Sequence, residues 1–266
     1  MALKLSIITI TRNSERYLRE TIESVISQDY PDFEYILVDG ESTDGTLDII
    51  KGYAAGDGRV RWISEPDRGI ADAMNKGIRL ATGDVVAHIH SDDLYLPDVF
   101  SRVAGIFREN PRARWVTGRL RYIDGEGRVL YDTTLKTSYA FRSIFKRNII
   151  GHPATFIRRD VFAEAGLFDT ALRYAMDYDL WLRISSRYEP LAVNDLFAKF
   201  RQHRDSLSSR EILKAIDEEF AVKKRYREIS GRLPLYGAWF VREKNRLLIR
   251  LGLHNTIKRL RQKMAS

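Results

Sequence analysis

The chain has 266 residues, 44% of them hydrophobic, enough to fill the core of one large α/β domain or of a domain with an appendage. It contains no cysteine, which excludes disulfides and thiolate metal sites and suits a reducing cytosol. The net charge of +8 belongs to the tail: residues 1–200 hold 27 Lys and Arg against 29 Asp and Glu, and residues 201–266 hold 17 against 7. No apolar run reaches membrane-spanning length. The start, Met1 to Arg12, turns polar too soon for a signal peptide and reads as a first strand.

Strand and helix signals alternate over the first 110 residues. Leu3–Ile10 is a β-rich run, and Ser14–Gln28 follows with Leu18, Ile22, Val25 and Ile26 on one helical stripe. Phe33–Val38 predicts a second strand, a short helix carries Leu47, Ile49 and Ile50, and Val60–Ile63 predicts a third strand. Ile70, Ala73, Met74, Gly77 and Ile78 line another helix before a fourth strand, Val85–Ile89, and Leu94–Pro97 is expected to open a further helix. This alternation predicts a doubly wound, mostly parallel sheet with right-handed crossovers. Beyond residue 110 the expected elements are a hairpin (115–124 and 128–133), a strand at 151–157, a helix at 177–186, a strand at 191–200, and helix over 211–264 with a break near Gly231–Pro234.

In a parallel sheet, ligands collect beyond the carboxyl ends of the strands. Three polar clusters fall there: Thr11-Arg12-Asn13, then Asp39 to Thr46, then Ser91-Asp92-Asp93. Adjacent carboxylates repel unless a proton or cation intervenes. A hard divalent cation that also grips a diphosphate suits Asp92-Asp93, and a solvated Ser-Asp-Asp helix cap is the alternative. The G-x-x-x-x-G-K-[ST] phosphate loop, the G-x-G-x-x-G fingerprint and H-E-x-x-H are all missing, so phosphates need another holder, which a carboxylate-bound metal supplies.

Ser6 to Asn13, Val38 to Thr46, Glu65 to Gly77, Ser91-Asp92-Asp93, Gly151 to Thr155, Gly166 to Asp169 and Asp177 to Arg183 together resemble glycosyltransferase family 2 over roughly residues 3–208. The resemblance implies a GT-A fold (Rossmann-like) with a basic helical C-terminal extension. It implies a nucleotide-sugar-binding half at 1–110, an acceptor and catalytic half of the same domain at 111–210, and the extension at 211–266. It also implies an inverting transfer from a nucleotide-diphosphate sugar, with a UDP-sugar favoured, to a saccharide or lipid-linked acceptor, with Mn²⁺ or Mg²⁺ and a place in surface polysaccharide synthesis. By position, Thr11, Asn13 and Asp39 would hold base and ribose, and Arg68 and Asp72 would approach base and phosphates. Of Asp92 and Asp93, one would touch ribose and the other the metal, with Asp93 favoured for the metal. Asp177 would be the catalytic base, with Asp179 as the fallback, and His203, in the late histidine motif, would ligate the metal or bind the diphosphate. His90 and Met176 stand where many members carry acidic residues. His152 is expected on the acceptor side.

Two other readings stay open: a nucleotidyltransferase, and a non-catalytic nucleotide- or sugar-binding module. In the tail, Tyr236, Trp239, Phe240, Leu247, Leu251 and Leu260 form a broken apolar stripe among cations that include Arg242 and Arg246. Such a helix lies on an anionic membrane, as a peripheral cytoplasmic protein would use it, or packs on protein. Oligomeric state is left open, and no nucleic-acid partner is expected, because no recognition motif accompanies the basic tail.

Overall fold

The computed structural model describes residues 3–203, 211–227, 242–244 and 246–247. The chain divides into two compact units, Met1–His203 and Arg204–Ser266.

The first unit is built on one nine-stranded sheet in the order Val60–Ser64 (β3), Phe33–Asp39 (β2), Leu5–Thr11 (β1), Val85–His88 (β4), Thr155–Arg158 (β8), Trp115–Ile123 (β6), Leu191–Arg201 (β9) and Leu94–Tyr95 (β5), with Val129–Asp132 (β7) paired to β6. Its first strands are β1 (Leu5–Thr11), β2 (Phe33–Asp39), β3 (Val60–Ser64) and β4 (Val85–His88), all parallel. The three central ones are almost wholly buried, as strands covered on both faces must be. Helix α1 (Glu15–Ile26) lays Leu18, Ile22 and Val25 on one face, beside Ile49 and Ile50 of α2 (Thr46–Gly56) and Phe100 and Phe107 of α4 (Val99–Glu109). Helix α3 (Ile70–Leu80) covers the opposite face, where a Cβ on Gly77 would lie only 2.4 Å from Ile8 Cγ2. That close approach is why glycine stands mid-helix, despite its cost there.

The second half of the sheet is mixed. Strand β8 (Thr155–Arg158) enters antiparallel to β4, and β6 (Trp115–Ile123) pairs with β8, with β7 (Val129–Asp132) and with β9 (Leu191–Arg201). Helix α7 (Met176–Ser185) stacks Trp181 on Trp115 at 5.6 Å. Short helices α5 (Phe141–Lys146) and α6 (Val161–Ala165) fill the connections.

Two expectations are corrected. Leu94–Tyr95 form a two-residue strand, β5, against β9, and helix starts only at Val99. Tertiary partners take the backbone groups a helix would have used: Tyr95 N–H donates to Ser24 Oγ, and Leu96 N–H donates to the Phe197 carbonyl. The run expected as one strand at 151–157 begins with a 3₁₀ turn, His152–Ala154, in which Pro153 supplies no N–H.

In the second unit, α8 (Ile212–Arg225) is followed by helical residues at 242–244 and 246–247. Arg242 and Arg246 both engage Asp217, at 2.7 and 3.0 Å. The break near Gly231–Pro234 and the aromatic stripe of Tyr236, Trp239 and Phe240, with Leu251 and Leu260, lie outside the described residues. Among the described residues, no helix is long and apolar enough to cross a membrane.

At the edge of the sheet away from the carboxyl ends, Glu34 is only 5% exposed yet charged. Burial pushes its carboxyl up, but donors from Ser6, Thr82 and Arg61 outweigh burial and hold it at about 2. A carboxyl depressed on folding stabilises the fold above its unfolded value, and that stabilisation fades as pH falls toward the folded one. Glu34→Gln is therefore expected to lower stability by about 2–3 kcal/mol at pH 7. In urea denaturation across pH, the gap from the parent should close between about pH 4.5 and 2; a gap that persists unchanged at pH 2 contradicts the assignment.

Candidate active site

The strand order reverses at β1, with β2 on one side and β4 on the other. Open α/β sheets form their crevice at such a switch point, beyond the carboxyl ends. Here the chain leaving β1 (Thr11 to Ser14) and the chain leaving β4 (His90 to Asp93) meet over it, with Ser91 Oγ 2.9 Å from Ser14 Oγ.

Asp39 ends β2 with no exposed surface. Its carboxylate accepts from Thr11 Oγ1, from the Ser42 hydroxyl and N–H, and from Ser64 Oγ. These four donors fill its lone-pair positions, so Asp39 ties the ends of three strands together. A base or ribose reaches it only by displacing one of the hydroxyls. Asn13 takes a left-handed conformation (φ 50°), accepts from Thr43 N–H at 2.8 Å and donates its own N–H to Ser42 Oγ at 2.8 Å. Asparagine is among the few residues that tolerate this region. Glu15 accepts from Gly45 N–H and Ser14 N–H donates to Thr46 Oγ1, so the loops after β1 and β2 are stitched reciprocally.

The loop after β3 joins the same wall. A Cβ on Gly40 would fall 2.2 Å from a carboxylate oxygen of Asp67, so the two loops touch at Gly40. Asp72, 8% exposed, accepts from the Arg68 N–H at 3.1 Å and lies 3.3 Å from the Arg68 guanidinium. The Arg68 hydrogen bond holds the Asp72 carboxyl below its ordinary range. The Arg68 side chain is 78% exposed.

The paired carboxylates part company. Asp92 stays near the rim, its Oδ2 2.8 Å from His203 Nε2, with the imidazole at the end of the chain leaving β9. Asp93, 1% exposed, turns inward, where its Oδ1 accepts from the Arg201 N–H at 2.9 Å. Burial first, and then the charge of Asp92, push the Asp93 carboxyl well above the carboxylate range. Its Oδ2 is buried with no hydrogen-bond partner among the described residues. Among the described residues, no three or more Asp, Glu or His side chains converge to cage a metal alone. A carboxylate oxygen and an imidazole nitrogen together fit a hard cation whose other positions are filled by diphosphate oxygens and water.

Beside this pair lies a neutral floor. His152 sits 5.1 Å from His90, 5.5 Å from His88 and 5.6 Å from Trp181, ring centre to ring centre, and stacks on Phe168. Burial lowers all three imidazoles and holds His88 at about 3, so they are uncharged at neutral pH. Trp181 connects this floor to the start of α7. Asp177, partly exposed in the first turn, stands four residues before Trp181 on the same helix face, and its Oδ1 accepts from Tyr178 N–H. Asp179 is buried and ion-paired with Arg183 Nε at 2.9 Å, and the same guanidinium donates to the carbonyls of Ala165 and Leu167. Asp179 is thereby committed to holding α6 against α7.

Sequence reasoning missed Arg201, Ser64 and Glu20, and placed Ser42 at the rim without a role. Arg201, a cation directly after the strand predicted at 191–200, was detectable; Ser64 carried no such signal.

A curled mixed sheet of this order, with an acidic rim at its switch point, defines a GT-A-type glycosyltransferase. The chain belongs to glycosyl transferase family 2, whose profile matches residues 6–166. It is 37% identical over 186 residues to a PGL/p-HBAD biosynthesis glycosyltransferase of Mycobacterium bovis, covering 68% of this chain and 69% of that one. Its fold superposes on S. aureus TarS 1–349 in complex with UDP-GlcNAc with a TM-score of 0.67, at 18% identity, covering 86% of this chain and 70% of that one. It also superposes on the mannosyltransferase PcManGT of Pyrobaculum calidifontis, in complex with GDP-Man and Mn²⁺, with a TM-score of 0.65, at 19% identity, covering 87% and 69%.

The geometry separates the two carboxylates of α7. Asp179→Asn breaks a buried ion pair and is expected to cost about 3 kcal/mol, whereas Asp177→Asn at the partly exposed helix start stays within about 1 kcal/mol of the parent. Thermal unfolding of both variants checks this; equal losses would refute the separation.

Proposed function

We propose that this glycosyltransferase is inverting and moves a sugar from a nucleotide-diphosphate sugar, with uridine the favoured base, to a hydroxyl of a saccharide or lipid-linked saccharide during synthesis of a surface glycan. The observation that carries this reading is the Asp92–His203 pair at the switch-point rim, joined through the uncharged His90–His152 floor to the helix bearing Asp177. Two structural neighbours, one in complex with UDP-GlcNAc and the other with GDP-Man and Mn²⁺, support the donor class and leave the base open. The Mycobacterium bovis relative supports a glycoconjugate acceptor.

In this reading Thr11, Asn13 and Asp39 form the nucleoside wall, with Arg68 and Asp72 toward base and phosphates. Asp92 and His203 would hold Mn²⁺ or Mg²⁺, which would supply counter-charge to the departing diphosphate. Asp177 accepts the proton of the acceptor hydroxyl as that oxygen bonds the anomeric carbon. The bond from that carbon to the diphosphate breaks in the same displacement, and its electron pair leaves with the diphosphate. Inversion follows from a single displacement, which needs no enzyme nucleophile. The basic C-terminal unit is suited to an anionic membrane surface on the cytoplasmic side, where a lipid-linked acceptor would be presented.

Asp177→Asn is expected to lower transfer at least about 100-fold while nucleoside diphosphate affinity stays within about twofold. Near-normal turnover, measured as released nucleoside diphosphate, would end the assignment. Excess chelator is expected to suppress transfer, and full activity in its presence would remove the cation from the reading. Co-sedimentation with anionic vesicles at low salt tests the membrane role, and no binding there dismisses it.

A further inference from the structure

Arg201 is one of the largest fully buried side chains in the protein, with 1% of its side chain exposed. An arginine cannot shed its charge, so burial requires that its five N–H donors find acceptors. Its Nε donates to the Asp92 carbonyl at 3.0 Å, one terminal nitrogen to the Gly125 carbonyl at 3.1 Å, and the other to Glu20 Oε2 at 2.6 Å. The guanidinium lies 4.4 Å from the centre of the Tyr17 ring, and that ring in turn sits 5.3 Å from the His203 ring. Its backbone N–H holds the Asp93 carboxylate, and the Asp93 carbonyl accepts from Thr21 Oγ1.

One residue therefore grips both sides of the rim. It holds the main chain of Asp92 directly, and it anchors the end of β9 two residues before His203. The planar fork spans α1, the turn after β4 and the β6–β7 turn at once, which a lysine ammonium cannot do.

We propose that Arg201 is the positioning residue that sets the spacing between Asp92 and His203, and so governs cation-dependent binding of the donor's diphosphate. This assignment rests on the reading of Asp92 and His203 as the cation-facing pair. Residues that orient metal ligands from behind are worth about 10- to 100-fold in metal affinity.

The test is calorimetric titration of the full chain with UDP, GDP and dTDP, each with and without Mn²⁺. For the nucleotide that gains most from Mn²⁺, Arg201→Lys is expected to lose about 10- to 100-fold of that gain while metal-free affinity stays within about twofold. His203→Ala is expected to lose the gain as well, and the double variant to fall no further than His203→Ala alone, because both changes act through one pair. A gain kept within twofold in Arg201→Lys, or losses that add in the double variant, would overturn the positioning role while leaving the donor reading intact. No Mn²⁺ gain in the parent for any nucleotide would overturn both. If Arg201→Lys does not fold, Glu20→Ala removes only the half-exposed partner. It is expected to reduce the gain about three- to tenfold at near-parental thermal stability, and an unchanged gain there overturns the proposal.

Discussion

Asp39 lies out of water at the end of β2, tolerable only because four donors converge on its two oxygens. A carboxylate left unpaired in a low-dielectric interior would cost several kcal/mol, or would take up a proton. The same constraint recurs along this sheet and is met differently each time. Asp179 is met by an arginine, Glu34 by hydroxyls, an N–H and an arginine, and Asp93 by one N–H with its carboxyl raised. Acidic groups compensated in this way shape the frame. Asp92 and Asp177 lie closer to water.

Much of this was legible in the sequence, for physical reasons that differ by region. The parallel first half announced itself because each strand is a short apolar run and each helix carries a 3.6-residue stripe. The polar residues just beyond those strands then had to share one rim, whatever their spacing along the chain. Leu94–Tyr95 was misread because a backbone bonded to Ser24 and the distant strand β9 leaves no local periodic trace. The division of labour between Asp92 and Asp93, or between Asp177 and Asp179, was equally hidden. It depends on which side of a turn each side chain leaves, and on partners such as Arg201 that lie more than a hundred residues away. Arg183 is only four residues from Asp179, yet the pairing mattered because α6 supplied the carbonyls that completed it.

Charge at the rim is also arranged by burial. His90, two residues before Asp92, brings no negative charge to the rim. Here His203 enters from the second half of the sheet and supplies a donor to the same rim. The imidazoles of His88, His90 and His152 are held below the ordinary histidine range chiefly by burial, reinforced at His88 by His90 and at His152 by both. An uncharged floor of imidazoles suits a sugar, whose hydroxyls need donors and acceptors but no counter-ion.

The mixed half of the sheet gains its purpose from this arrangement. Strand β9 runs beside β6 and also pairs with the two-residue β5, which follows directly on Asp93. The last strand of the unit is thus hydrogen-bonded to the segment that carries the acidic pair, and Arg201 and His203 arrive at the rim because β9 ends there. A purely parallel sheet would place only strand-to-helix loops around its crevice. By returning β9 against β5, this fold brings a second chain segment to the opposite side of Asp92. The site then consists of two walls, and their separation is set by backbone pairing on one side and a buried guanidinium on the other.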